Sequence, residues 1–258
     1  MTSKFLSIYQ RNATRDIARR MPLFLKTPAD RERALDICQA YRQRGIFSLF
    51  ETGVPDDLVR DLHYSARVYA FHLGAVPDER RIASHSVPFF DALASRDLRA
   101  AESIARLGRN RWTDGEEFED DYCYFRFLWG KFFLRTPPEE LEEVLGRYEK
   151  ILDGNYDPRF AICRAIADND ATAFDAALID FLLAHEARYK TLGEQDSILP
   201  EEAVSEGKLC VEGLALVNAV EPLGLSSKQD YLFIPSTARE AVSMNYETER
   251  WRAPAGAA

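Results

Sequence analysis

No two cysteines of this sequence lie close enough to form a C-x-x-C pair. Cys38, Cys123, Cys163 and Cys210 are scattered along the chain, so neither a zinc knuckle nor a dithiol redox site is indicated, and buried free thiols are expected. Histidine is as sparse. His63, His72, His85 and His185 show no metal-ligand spacing, and His185-Glu186 is not followed by a second histidine four positions on, which removes the zincin pattern. There is no G-x-S-x-G elbow, no P-loop and no G-x-G-x-x-G. No uninterrupted apolar run approaches the roughly 20 residues that span a bilayer. The first residues, "MTSKFLSIYQRNATRDIARR", are basic and amphipathic but lack the apolar core and small-residue cleavage site of a secretory signal. A bacterial-type cytoplasm is therefore the expected compartment, with no metal and no cofactor.

What is present is a chain able to fold. Its 258 residues are 46% hydrophobic and 12% aromatic, enough to bury a sizeable core. Charge is unevenly placed. Residues 1–35 carry eight Lys/Arg against three Asp/Glu, a balance of +5, so with the whole chain at −9 the remainder is −14. An acidic body is repelled by phosphates, which disfavours nucleic acid as a partner and suits a basic one.

Helix signals recur throughout. Thr27-Pro28, Thr136-Pro137-Pro138-Glu139 and Asp157-Pro158 each pair a capping residue with a proline at the first helical position, and Glu139 adds the acid of a capping box. In "RAIADNDATAFDAALIDFLLAHEARY", residues 164–189, a helix ends, the chain turns, and Asp170 caps a second helix. The face of that second helix carries Phe174, Leu178, Phe181, Leu182 and His185, and the histidine on that stripe is expected to have its hydrogen bond satisfied. The turn has a counterpart: Ala92, Ala94 and Asp97 match Ala165, Ala167 and Asp170 in an Ala-x-Ala-x-x-Asp pattern offset by 73 residues. With Thr136 between them, these positions mark helical hairpins of the length found in stacked arrays. "DYCYFRFLWGKFFL", 121–134, is apolar at nearly every angle, as a helix buried on most sides should be. Strand signals are short and isolated, "IFSLF" at 46–50 and "YLFI" at 231–234. The predicted fold is all-α: a single domain of stacked antiparallel helical hairpins, solenoid-like, with about nine to eleven helices. Its parts would be N-terminal helices at 1–84, a core at 85–240 and a tail at 241–258.

One segment exceeds what capping requires. "WTDGEEFEDDY", 112–122, sets Asp114, Glu116, Glu117, Glu119, Asp120 and Asp121 among Trp112, Phe118 and Tyr122. Acids at a helix start complement its dipole. Six so close repel one another, and acid interleaved with aromatic is also the composition of a surface that meets a basic protein. Trp112, Asp114, Glu116, Glu117, Phe118, Glu119, Asp120 and Asp121 are accordingly the candidate contact residues, with Trp112 or Phe118 as the apolar anchor.

The chain resembles the immunity-protein-49 family of bacterial polymorphic-toxin systems. The resemblance lies in Ala165, Ile166, Ala167, Asp170, Phe174, Ala177, Leu178 and His185, and in "GLALVNAVEPLGLSSKQDYLFIP" at 213–235. "FFDALASRDLRAAESIARL" at 89–107 and the following Trp112 also fit. The match covers about residues 85–240, with the first 84 matched only loosely. It implies a non-enzymatic antitoxin that binds and neutralises one cognate effector, of the kind type VI or Rhs-type systems deliver, and it transfers no catalytic residues. Two other readings are open: a helical-repeat scaffold or regulator that binds a partner protein, and an enzyme that reverses a toxin's modification.

Overall fold

The computed structural model describes residues 5–225, 230–240, 242 and 249–253. Among these residues there are twelve α-helices and no β-strand, as the helix-period patterning predicts. They are α1 (Leu6–Lys26), α2 (Arg31–Thr52), α3 (Asp56–Ala75), α4 (Pro88–Ala94), α5 (Leu98–Leu107), α6 (Glu119–Trp129), α7 (Pro138–Leu152), α8 (Pro158–Asp168), α9 (Ala171–Glu194), α10 (Pro200–Val204), α11 (Val211–Val220) and α12 (Ser236–Arg239). Since α10 and α12 have only five and four residues, the difference from the expected nine to eleven lies in single turns. "IFSLF" falls inside α2, and of "YLFI" only an isolated bridge between Tyr231 and Ile234 remains.

The recurrent Ala-x-Ala-x-x-Asp pattern makes the same turn twice. Arg96 and Asn169 adopt left-handed φ of 57° and 56°. The Asp97 and Asp170 amides then reach back to the Ala92 and Ala165 carbonyls, both at 2.9 Å, which is the six-to-one bond of a Schellman ending. Each aspartate at once caps the next helix. Asp97 accepts from the Ala100 amide at 3.0 Å, and Asp170 accepts from those of Thr172 and Ala173 at 2.9 Å. Asp157 caps α8 as predicted, accepting from the Arg159 amide at 2.7 Å.

The two threonine signals need correction. Thr27 ends α1, and Asp30 caps α2 by accepting from the Arg33 amide at 3.0 Å. The Asp30 amide donates to the Thr27 carbonyl at 3.0 Å, so Pro28 is the second residue of a turn, a place proline favours as much as a helix start. Thr136 does not cap α7 either. The ring of Pro138 excludes the residue before it from the helical region, so Pro137 stays extended with ψ 146° and the helix begins at Pro138.

α1 packs on α2, α2 on α3, α6 on α7 and α8 on α9, while α11 lies against α4 from far along the sequence. One cluster of buried side chains runs from Ile17 to Trp251. At its centre Tyr122 to Phe125 and Phe127 to Trp129 of α6 are buried as expected, and the helix continues as a π-turn over Gly130–Leu134. Gly108 admits the Trp129 ring, from which a Cβ would be 2.5 Å away. All four cysteines are free and buried, and burial drives the thiols of Cys123 and Cys210 up to about 12. Of the segment expected to be a tail, 241–258, only 242 and 249–253 are among the described residues. There Trp251 is buried, its carbonyl accepts from the Tyr41 hydroxyl at 3.1 Å, and its ring packs on Phe71.

Candidate functional site

The acidic segment occupies the loop between α5 and α6 and the first turn of α6, and the protein's own arginines and amides engage most of it. Glu116 pairs with Arg109 at 2.8 Å. Glu117 accepts from the Ser84 amide at 2.9 Å, and burial raises its carboxyl above the ordinary value although that hydrogen bond acts the other way. Glu119 pairs with Arg147, whose guanidinium also lies 5.4 Å from the ring centres of Trp112 and Tyr122. Asp121 pairs with Arg159 at 3.1 Å, and there too burial pushes the carboxyl up. Asp120 accepts only the neighbouring Asp121 amide, at 2.9 Å, and Asp114 has no ion pair among the described residues. The two aromatics part company. Trp112 is half-buried with its indole N–H donating to the Glu117 carbonyl at 3.1 Å. Phe118 is 78% exposed, the most open large apolar side chain described. The eight candidate residues thus form one surface whose free groups are Asp114, Phe118 and Asp120.

Arg159 links this surface to a second feature that the sequence did not reveal. Its guanidinium grips Glu212 with two bonds of 2.9 Å and rests 5.1 Å from the ring centre of Tyr124 and 5.9 Å from that of Phe181. Beside it opens a cleft of about 600 Å³, walled by α2, α4, the start of α8, α9, α10 and the start of α11. At one wall Arg42 holds the fully buried Asp91 through two bonds of 2.7 and 2.9 Å and reaches Glu206 at 3.1 Å. Asp91 also accepts from the Ser65 hydroxyl. On α9, His185 borders the cleft, its ring 4.7 Å from Tyr189 and 5.2 Å from Phe233. Burial lowers its pKa, and its buried Nε2 has no hydrogen-bond partner among the described residues, where the sequence predicts a satisfied one. Residues from 42 to 212 in the sequence meet here. The local signals were the α8 cap at Asp157 and, on the α9 stripe, Phe181 and His185.

Among the described residues no group of three or more His, Cys, Asp or Glu side chains is placed to hold a metal ion. No helix there is long and apolar enough to cross a membrane. No curated protein and no solved structure matches the chain. A family model does: that of immunity protein 49, over residues 45–238. This span begins well upstream of residue 85, takes in α3 to α11, and includes both the acidic surface and every cleft residue except Arg42. The chain therefore belongs to the immunity protein 49 family.

Proposed function

We propose that this protein is an antitoxin that binds one cognate effector toxin in the cytoplasm and neutralises it by contact, without catalysis. Family membership carries this reading. The segment Asp114 to Asp121 forms part of the contact, with Phe118 as its apolar anchor and Asp114 and Asp120 as its uncommitted charges. An exposed aromatic ringed by carboxylates suits a toxin whose surface is basic, because the ring is desolvated on docking while the charges steer the encounter.

The test is binding to the product of the gene immediately upstream, followed by growth protection against it. Protection at about one antitoxin per toxin is expected, whereas protection at far lower ratios would indicate an enzyme instead. Phe118→Ala should weaken binding by about tenfold, the scale of an interface anchor. Asp114→Lys should slow association and lose its effect in salt, since exposed charges are screened beyond about 10 Å at 0.1 M. Glu117 and Glu119 are poor choices for substitution, because each is tied into the fold.

A further inference from the structure

We propose that the cleft beside Arg159 seats an arginine or lysine side chain from an extended segment of the toxin. This rests on the antitoxin reading and names a second contact for it.

The cleft is lined by five carboxylates, Asp91, Asp157, Glu202, Glu206 and Glu212, and three guanidinium groups, Arg42, Arg159 and Arg188. Most are spoken for. Arg42 holds Asp91 and Glu206, and Arg159 holds Glu212. Asp157 caps α8 and accepts from the Tyr148 hydroxyl. Glu202 has no hydrogen bond or ion pair to its side chain among the described residues, and Arg188 is equally unpaired. The two differ in setting. Arg188 is exposed on a long stem that keeps its charge in water, whereas Glu202 is half-buried beside a second carboxylate. Burial, and next the Glu206 charge, raise the Glu202 carboxyl above its ordinary value, with Arg188 and Arg42 acting against them. A cation placed there would remove the conflict.

The cleft already holds one arginine in this way. Arg159 lies between the Glu212 carboxylate and the rings of Tyr124 and Phe181. Glu202 offers a carboxylate without an ion pair among the described residues in the same cleft as the aromatic ring of Tyr189, with Tyr156 exposed among the lining residues, and the arginine whose charge reaches it most, Arg188, stays exposed and unpaired. A cation over an aromatic face and against a carboxylate gains from both. The volume is that of a site for one or two side chains rather than a flat contact.

The experiment measures the dissociation constant of the upstream gene product on the wild-type chain and on Glu202→Gln and Glu202→Arg, with urea midpoints to verify folding. A second arm titrates the wild-type chain with acetyl-Gly-Arg-Gly-amide and with its citrulline counterpart. Expected are a loss of about tenfold for Glu202→Gln, mainly through faster dissociation, a larger loss for Glu202→Arg, and tighter binding of the arginine peptide than of the citrulline one. Should Glu202→Arg fail to fold, Glu202→Gln and the peptides decide. Unchanged toxin affinity in folded Glu202→Gln, or equal binding of the two peptides, overturns the seat and leaves the antitoxin reading standing. Failure of the wild-type chain to bind the upstream product overturns both.

Discussion

Arg42 and Asp91 are separated by 49 positions, and no pattern in the sequence pairs them. Each looks like one of many surface charges until α2 and α4 are brought together. This explains why the acidic surface was legible and the cleft was not: the first is contiguous in sequence, the second is assembled by packing. Even at the acidic surface, composition named the residues but not their employment, because Arg109 reaches Glu116 from earlier in the same loop while Arg147 and Arg159, which take up Glu119 and Asp121, come from α7 and α8. The Arg42–Asp91 pair supplies a prediction at this scale. Asp91→Ala leaves a buried guanidinium with only Glu206 and deprives the Ser65 hydroxyl of its acceptor. Breaking one side of such a pair costs about 3–5 kcal/mol, so the urea midpoint should fall sharply, whereas Asp114→Lys, with no ion pair among the described residues, should leave it unchanged.

At the scale of the element, the helical hairpin was readable wherever one residue performs two tasks. Asp97 and Asp170 both close a turn and open a helix. The Thr27 signal misled because proline's fixed φ serves a turn and a helix start equally well, and the Thr136 signal because Pro138 holds the residue before it extended and moves the helix start one position on. The two aspartates are unequal, and the difference can be measured. Among the described residues Asp170 has only its capping bonds, so Asp170→Ala should cost about 1 kcal/mol. Asp97 also receives two bonds from Arg67 at 2.7 and 2.9 Å and sits 2.7 Å from the His63 ring, and Asp97→Ala should cost more. Burial opposes ionisation of Asp97, but His63, the Ala100 amide and Arg67 together hold its carboxyl below the ordinary value. A carboxyl depressed by folding stabilises the native state at pH values above its unfolded pKa of about 4. That contribution is lost as the pH falls through the lower native value. Urea midpoints recorded from pH 6 downward should therefore show an acid-side decline in the wild type that is shallower in Asp97→Asn.

At the scale of the whole molecule, the all-α fold was the most legible property, since period and caps agree along nearly the entire chain. The closing contact was not. A short turn near residue 251 would pass for loose chain, yet Trp251 is among the most fully buried large side chains and bonds to α2 across 210 positions. Trp251→Ala should cost about 3–5 kcal/mol, as for other buried aromatics, and a thermal melt would register it. The same contact sets an order in time. A ribosome delivers residues at about 5–20 per second, so Phe71 waits about 9 to 36 seconds, on that rate, for the indole that covers it. Until then a hydrophobic notch on the nascent chain stands open to chaperones and proteases.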